Sequence, residues 1–255
     1  PASVAEALAL LRSHDNARLL AGGQSLMPMM NMRYAQPDHV IDINGVAGLS
    51  FIHESGATLE IGAMTRQREI EFSDLVREKC PLMHEAIGNV GHRQTRNRGT
   101  LGGSLCHLDP SAELVTVAAA LDATVTIAAS AGDRNIPFSE FPVAYMTPAV
   151  GPDELLSRVS FPLWPAGHGY AFVEFARRHG DFAIVSAAAL LDEDASGHIR
   201  RVSLTLGGVG PAPLRVSALE QALTGQVASA QLFREASETC RKIDAMGDEI
   251  GRAHV

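Results

Sequence analysis

A chain of 255 residues can bury a substantial core, as one large domain or as two to three small ones. Its net charge of −8, from 21 basic and 29 acidic residues, argues against a nucleic-acid partner, which would need clustered Lys and Arg. No uninterrupted apolar run reaches membrane-spanning length, and the first eleven residues lack the basic start of a signal peptide. Cys80, Cys106 and Cys240 are far apart and odd in number, and the ten histidines contain no H-E-x-x-H pair. No metal site is therefore expected, and the cysteines read as reduced thiols of a cytoplasmic protein.

In chain order, the first element is a helix opened by the capping box Ser3-Val4-Ala5-Glu6, with Leu8 and Leu11 on its apolar face. A short strand at 19–20 delivers a first glycine stretch, a second strand covers 39–43, and 49–52 pairs with 58–61 around Glu54-Ser55-Gly56. Thr65 is expected to cap a helix starting near Gln67; helix continues over 74–87 with an interruption near Pro81. A loop over 89–100 leads to a second glycine stretch. An alanine-rich helix over 111–121, buried on most faces, precedes a strand at 124–128. The proline- and glycine-rich segment 148–169, bracketing a strand at 155–161, marks a domain boundary. Beyond it, 170–176, 185–192 and 200–206 read as three successive strands, the last two joined near Ser196-Gly197, and 216–223 and 230–243 as helices. Strands followed by helices predict an α+β module with helices on one face of an antiparallel sheet.

The chemistry-bearing stretches are Ala21-Gly22-Gly23-Gln24-Ser25-Leu26 and Thr100-Leu101-Gly102-Gly103-Ser104. Glycine lets the main chain approach a ligand closely, and successive N–H dipoles form an anion-binding concavity. Neither stretch is a Walker loop or a Rossmann turn, and either could be a plain tight turn. Two of them in one half of the chain, each with a small hydroxyl residue, point to a large phosphorylated cofactor. The basic cluster Arg93, Arg96 and Arg98 is either a solvated loop or charge support for phosphates; His92 and His107 flank the second stretch, and Cys106 reads as a small buried hydrophobe.

Four segments carry a family resemblance in order along the chain: LLAGGQSLMPMMNMRYAQPDHVIDIN (19–44), LEIGAMTRQREIE (59–71), TRNRGTLGGSLCHLDPSAEL (95–114) and FARRHGDFAIVSAAA (175–189). They resemble the FAD-binding medium subunit of the molybdenum hydroxylases, the carbon monoxide dehydrogenase and xanthine dehydrogenase family. The resemblance implies an α+β protein: a two-subdomain FAD-binding fold of the p-cresol methylhydroxylase type over 1–165 (subdomains about 1–50 and 51–165), then a C-terminal α+β domain over 166–255 with a three-stranded antiparallel sheet and helices. It implies that FAD is bound non-covalently, with Ala21, Gly22, Gly23, Gln24, Ser25 and Leu26 as the first diphosphate clamp. Thr100, Leu101, Gly102, Gly103 and Ser104 are the second, and hydroxyls of Ser25, Thr100 and Ser104 can donate to phosphate. Glu113 matches an acidic position near the ribityl hydroxyls, or else lies on the solvated face of its helix. Asp109 caps that helix or contacts the cofactor. Phe182 matches an aromatic position against the isoalloxazine ring, or else packs in the core. No catalytic nucleophile–base pair is expected, because flavin brings its own chemistry.

The same resemblance puts [2Fe–2S] clusters on a small partner subunit and molybdopterin on a large one, in a dimer of heterotrimers. Electrons would then pass from the clusters through this chain to an external oxidant. A stand-alone flavoenzyme of the same broad fold is the alternative; a cofactor-free scaffold is a third reading, opposed by the intact glycine stretches. Pro1 at the start and the stop at Val255, short of the family's usual last helix, read as a chain incomplete at one or both ends. Valine at Gly102 or Gly103 is expected to block the cofactor while sparing the fold.

Overall fold

Ser3 opens the first helix, Val4–Ser13, by accepting the Glu6 N–H at 3.2 Å, while the Glu6 carboxylate reaches back to the N–H of Ala2. The helix buries Ala7, Leu8 and Leu11 against the parallel strands Ala17–Leu20 and His39–Asp42, forming a small apolar cluster with Ile41, Ile43 and Leu49. The computed structural model describes residues 1–247; the terminal stretch 248–255, where the end of the chain was in question, lies outside the described residues. No described helix is long and apolar enough to cross a membrane.

A five-stranded antiparallel sheet follows, in the order Ile52–Ser55, Thr58–Gly62, Leu155–Pro162, Thr124–Ala128, Arg134–Pro137. The strand expected at 155–161 is thus the central strand of this sheet rather than a piece of boundary loop. Helices Pro81–Ile87, Leu101–His107 and Glu113–Ala120 contribute Leu82, Leu101, Leu105, Leu114, Val117 and other fully buried side chains to the main core. The alanine-rich helix is buried on nearly all sides, as its composition predicts.

The hairpin pairs Ile52–Ser55 with Thr58–Gly62, its first strand starting three residues later than expected because Leu49 is drawn into the first apolar cluster. Thr65 caps no helix. Its hydroxyl both donates to the Phe51 carbonyl and accepts the Phe51 N–H, and the helix Gln67–Glu71 starts instead with Glu69 accepting the Arg66 N–H at 2.8 Å.

The C-terminal region is an antiparallel sheet of Gly169–Phe175, Val185–Glu193 and Ile199–Gly207, with Leu214–Arg215 added as a short fourth strand. Helices Ser217–Leu223 and Ala230–Ser237 lie over one face; the second passes into a 3-10 turn, Glu238–Lys242, rather than continuing as α-helix. The alanine-rich helix packs on the other side of this sheet, so that Ser203 donates to the Ala120 carbonyl at 2.6 Å. These elements make an α+β region built on the five-stranded sheet, followed by an α+β C-terminal region built on the four-stranded sheet.

Candidate cofactor cleft

The two parallel strands end side by side, and both carboxyl ends open onto one cleft of about 400 Å³. Crevices at the carboxyl ends of parallel strands are where α/β units bind ligands. Ala21, Gly22, Gly23 and Gln24 line the cleft after the first strand; Asp42 and Asn44 line it after the second, and Arg98 closes it. The chain then turns into a short helix, Leu26–Asn31, absent from the sequence expectation because Pro28 and a run of methionines hide its period. Gly23 has φ +73°, the left-handed region that glycine enters without strain.

The first glycine stretch is built to receive an anion. The N–H groups of Gly22, Gly23, Gln24 and Ser25 find no acceptor among the described residues, while the carbonyls of Gly22 and Ala21 are taken by Gln24 Nε2 and Asn44 Nδ2. Four consecutive free donors form an anion-binding concavity, and Arg98, whose charge acts on Asp42 across the same cleft, lines it with them. A Cβ on Gly22 would collide with the Arg98 carbonyl and stand 2.8 Å from Gly99 Cα. Glycine is therefore required there for chain-to-chain approach as well.

The second stretch is the first turn of the helix Leu101–His107 and no open loop. Thr100 is its N-cap: Oγ1 accepts the Gly103 N–H at 3.1 Å. Leu101 N donates to the Thr65 carbonyl at 3.1 Å, Gly102 N to the Ala63 carbonyl at 2.8 Å, and Ser104 N to the Thr100 carbonyl. Of the five residues expected to clamp a diphosphate here, Leu101, Gly102, Gly103 and Ser104 thus already have their N–H groups engaged. The Thr100 hydroxyl keeps its proton to donate, and the Ser104 hydroxyl has no partner among the described residues. The two stretches do come together: a Cβ on Gly103 would lie 3.6 Å from that of Ala21.

The basic cluster divides by role. Arg96 belongs to the helix Arg93–Arg98, unforeseen because it has no apolar face, and pairs with the Glu71 carboxylate at 3.0 and 3.2 Å. It also donates to the Val90 carbonyl. Arg98 alone reaches the cleft lining.

Glu113 stands at the start of the helix Glu113–Ala120 and is only 7% exposed, so the solvated-face reading is wrong. Burial pushes its carboxyl up to about 7, the nearby Glu174 and Asp109 charges add to the rise, and Arg96 opposes it weakly. Asp109 does not cap that helix, whose N-cap is Ala112; its carboxylate accepts the Ser111 N–H at 2.8 Å in a local turn. His107 is partly buried and held below the usual histidine range by desolvation. Burial pushes the Cys106 thiol up to about 12, in keeping with an inert small hydrophobe.

Phe182 is 68% exposed, which removes the core-packing reading. Its turn leans on the second segment: a Cβ on Gly180 would strike the His92 ring and lie 3.3 Å from the Gly91 carbonyl. Phe182→Ala should therefore change the unfolding free energy of the flavin-free chain by less than about 0.5 kcal/mol in a denaturant titration. A larger loss would mean that the ring packs on its own chain.

Asp42, Asn44 and Arg66 had no role in the sequence reading, although all three stood in quoted segments, Asp42 and Asn44 in 19–44 and Arg66 in 59–71. The readable signal was a polar pair immediately following an apolar strand. Asn44 N–H donates to the Asp42 carboxylate at 2.9 Å, and this, with the Asn44 amide, holds Asp42 below the ordinary carboxylate range.

Comparison with known proteins agrees with this geometry. The family model described as the FAD binding domain in molybdopterin dehydrogenase matches residues 1–164, and the CO dehydrogenase flavoprotein C-terminal domain matches 170–253. The 6-hydroxypseudooxynicotine dehydrogenase complex subunit alpha of Paenarthrobacter nicotinovorans is 43% identical over 87% of this chain and 75% of its own length. The caffeine dehydrogenase subunit beta of Pseudomonas sp. (strain CBB1) is 39% identical over 95% of this chain and 83% of its own. Among solved structures, carbon monoxide dehydrogenase from Hydrogenophaga pseudoflava superimposes with a TM-score of 0.92 at 34% identity, covering 97% of this chain and 87% of that one. Quinoline 2-oxidoreductase from Pseudomonas putida 86 gives 0.93 at 34% identity, covering 98% and 87%. With both family models matched in order and relatives 39% and 43% identical covering most of the chain, the chain belongs to the FAD-binding medium subunits of the molybdenum hydroxylases and is an oxidoreductase subunit.

Proposed function

We propose that this chain holds one FAD non-covalently with the diphosphate against the free N–H groups of Gly22, Gly23, Gln24 and Ser25. That run of unpartnered donors beside Arg98 is the observation that carries the reading, and it fits a diphosphate with one negative charge on each phosphate. Ala21 and Leu26 frame the run, and the hydroxyls of Ser25, Thr100 and Ser104 supply further donors. Leu101, Gly102 and Gly103 serve by shaping the second wall. Glu113 faces the ribityl hydroxyls as an acceptor, and Phe182, exposed on its turn, shields one side of the ring from water.

When bound, FAD exchanges electrons one or two at a time, linking [2Fe–2S] clusters on a small partner to an external acceptor. The large partner would carry molybdopterin and the substrate site, in a cytoplasmic dimer of heterotrimers. Three free thiols among the described residues support the reducing compartment. The division of labour between 1–165 and 166–255 follows the change from the five-stranded sheet to the C-terminal sheet.

Acid precipitation of the purified flavoprotein should leave FAD in the supernatant, with one flavin per chain by absorbance. Flavin that stays with the pellet would overturn the non-covalent assignment, and a colourless chain after FAD titration would overturn the site. Co-expression with candidate small and large subunits should return all three on one affinity tag.

A further inference from the structure

The segment 63–67 is zipped to the second glycine stretch by its backbone. Gly102 N donates to Ala63 O at 2.8 Å, Leu101 N to Thr65 O at 3.1 Å and Gln67 N to Gly99 O at 2.9 Å, with Arg66 opposite Thr100 in an antiparallel bridge. The Arg66 side chain then leaves this zip and reaches across the cleft. One guanidinium nitrogen donates to the Arg98 carbonyl, the same carbonyl that backs onto Gly22; the other donates to Asn44 Oδ1 at 2.5 Å. Asn44 Nδ2 donates onward to the Ala21 carbonyl at 3.0 Å. Arg66 therefore ties the turn before the second glycine stretch to Asn44, just past the second parallel strand, and Asn44 carries the tie on to Ala21 of the first stretch.

We propose that Arg66 and Asn44 form a clip that fixes the spacing between the first glycine stretch and the Arg98–Gly99 turn, positioning the free N–H donors for the cofactor diphosphate. The clip rests on the FAD reading above. It acts through the peptide carbonyls of Ala21 and Arg98 and needs no contact of its own with the cofactor. Arginine suits it because the planar fork serves two acceptors at fixed geometry, which a lysine ammonium cannot do. Asn44 suits it because an amide both accepts from Arg66 and donates to Ala21. A second tie steadies the pair, since the Asp42 carboxylate accepts the Asn44 N–H at 2.9 Å.

The experiment is an FAD titration of the full chain, followed by flavin fluorescence and visible circular dichroism, with apo-protein melting recorded for each variant. Arg66→Met and Asn44→Ala should each weaken FAD binding about ten-fold and change the visible dichroism of the bound flavin. The double variant should lose no more than about two-fold beyond the weaker single, because both residues belong to one chain of bonds. Arg66→Lys should recover less than half of the lost binding free energy. Full recovery with lysine would show that only charge matters and would overturn the clip, as would singles that bind like the wild type or losses that simply add. If Arg66→Met does not fold, Asn44→Ala and Arg66→Lys still decide the matter by the same criteria. A wild-type chain that binds no FAD would overturn the underlying reading as well, and is told apart because it appears before any substitution.

Discussion

Gly102→Val should strongly destabilise the chain rather than merely empty its cofactor site. A Cβ on Gly102 would stand 2.6 Å from Ala63 Cβ, 2.9 Å from the Ala63 carbonyl oxygen and 3.0 Å from Ala63 Cα. Two of these atoms are backbone, and Ala63 cannot retreat because its N–H donates to the Ser157 carbonyl within the sheet region while its carbonyl accepts from Gly102 itself. Valine adds two further methyl groups to that collision. Overpacking alone typically costs ~1–3 kcal/mol, and loss of the zip between 63–67 and 99–102 comes on top. Against a total stability of roughly 5–15 kcal/mol, a loss of at least about 3 kcal/mol is expected, seen as a large drop in the denaturant midpoint of the flavin-free chain. Gly103→Ala is the contrast: its Cβ would meet the Thr100 hydroxyl at 2.8 Å, a side-chain atom that can turn away. It should cost about 1 kcal/mol, the worth of one N-cap, and leave a folded protein. A Gly102→Val chain that melts within a degree or two of wild type would refute the packing argument and restore the view of Gly102 as a cofactor-facing position.

That contrast also shows what could be read from the sequence and what could not. Both glycine pairs were legible, because glycine where the chain must approach something closely leaves a visible mark. What it approaches was not legible: Gly22 faces the Arg98 carbonyl and an empty run of donors, whereas Gly102 faces Ala63. Whether a backbone N–H is free depends on acceptors some forty residues away, as with Leu101 and Thr65. The helices with strong local signals were read well, from the Ser3 cap to the alanine-rich helix. Arg93–Arg98 was not, since a tertiary ion pair to Glu71 holds it where local apolar periodicity is missing. Asn44 and Arg66 look ordinary in one dimension, and their roles arise only when three distant segments meet.

The apo chain should lose stability as pH rises from about 4.5 to about 7, and Glu113 should be the cause. Its carboxyl is buried, with Glu174 and Asp109 as like charges nearby, and the one opposing cation, Arg96, is already committed to Glu71. The folded-state value of about 7 lies above the 4.5 of an ordinary glutamate. A raised value means that the folded state holds the proton more tightly than the unfolded chain. Stability from this group is then fully present below the unfolded value and is lost as pH climbs through the folded one. The difference corresponds to ~3 kcal/mol at 1.36 kcal/mol per pH unit, accumulated between the unfolded value of 4.5 and the folded value of about 7. Denaturant titrations of flavin-free protein at pH 5.5 and 8.5 should show the roughly 2 kcal/mol of this fall that lies above pH 5.5 for the wild type. Glu113→Gln keeps the shape and removes the ionisation. It should match the wild type at pH 5.5 to within about 1 kcal/mol, exceed it at pH 8.5, and flatten most of the slope between. Glu174→Gln, by deleting a neighbouring charge, should move the wild-type transition to lower pH without abolishing it. If Glu113→Gln retains the full pH slope, the buried carboxyl is ionised throughout and its charge is being met by a partner the fold does not reveal.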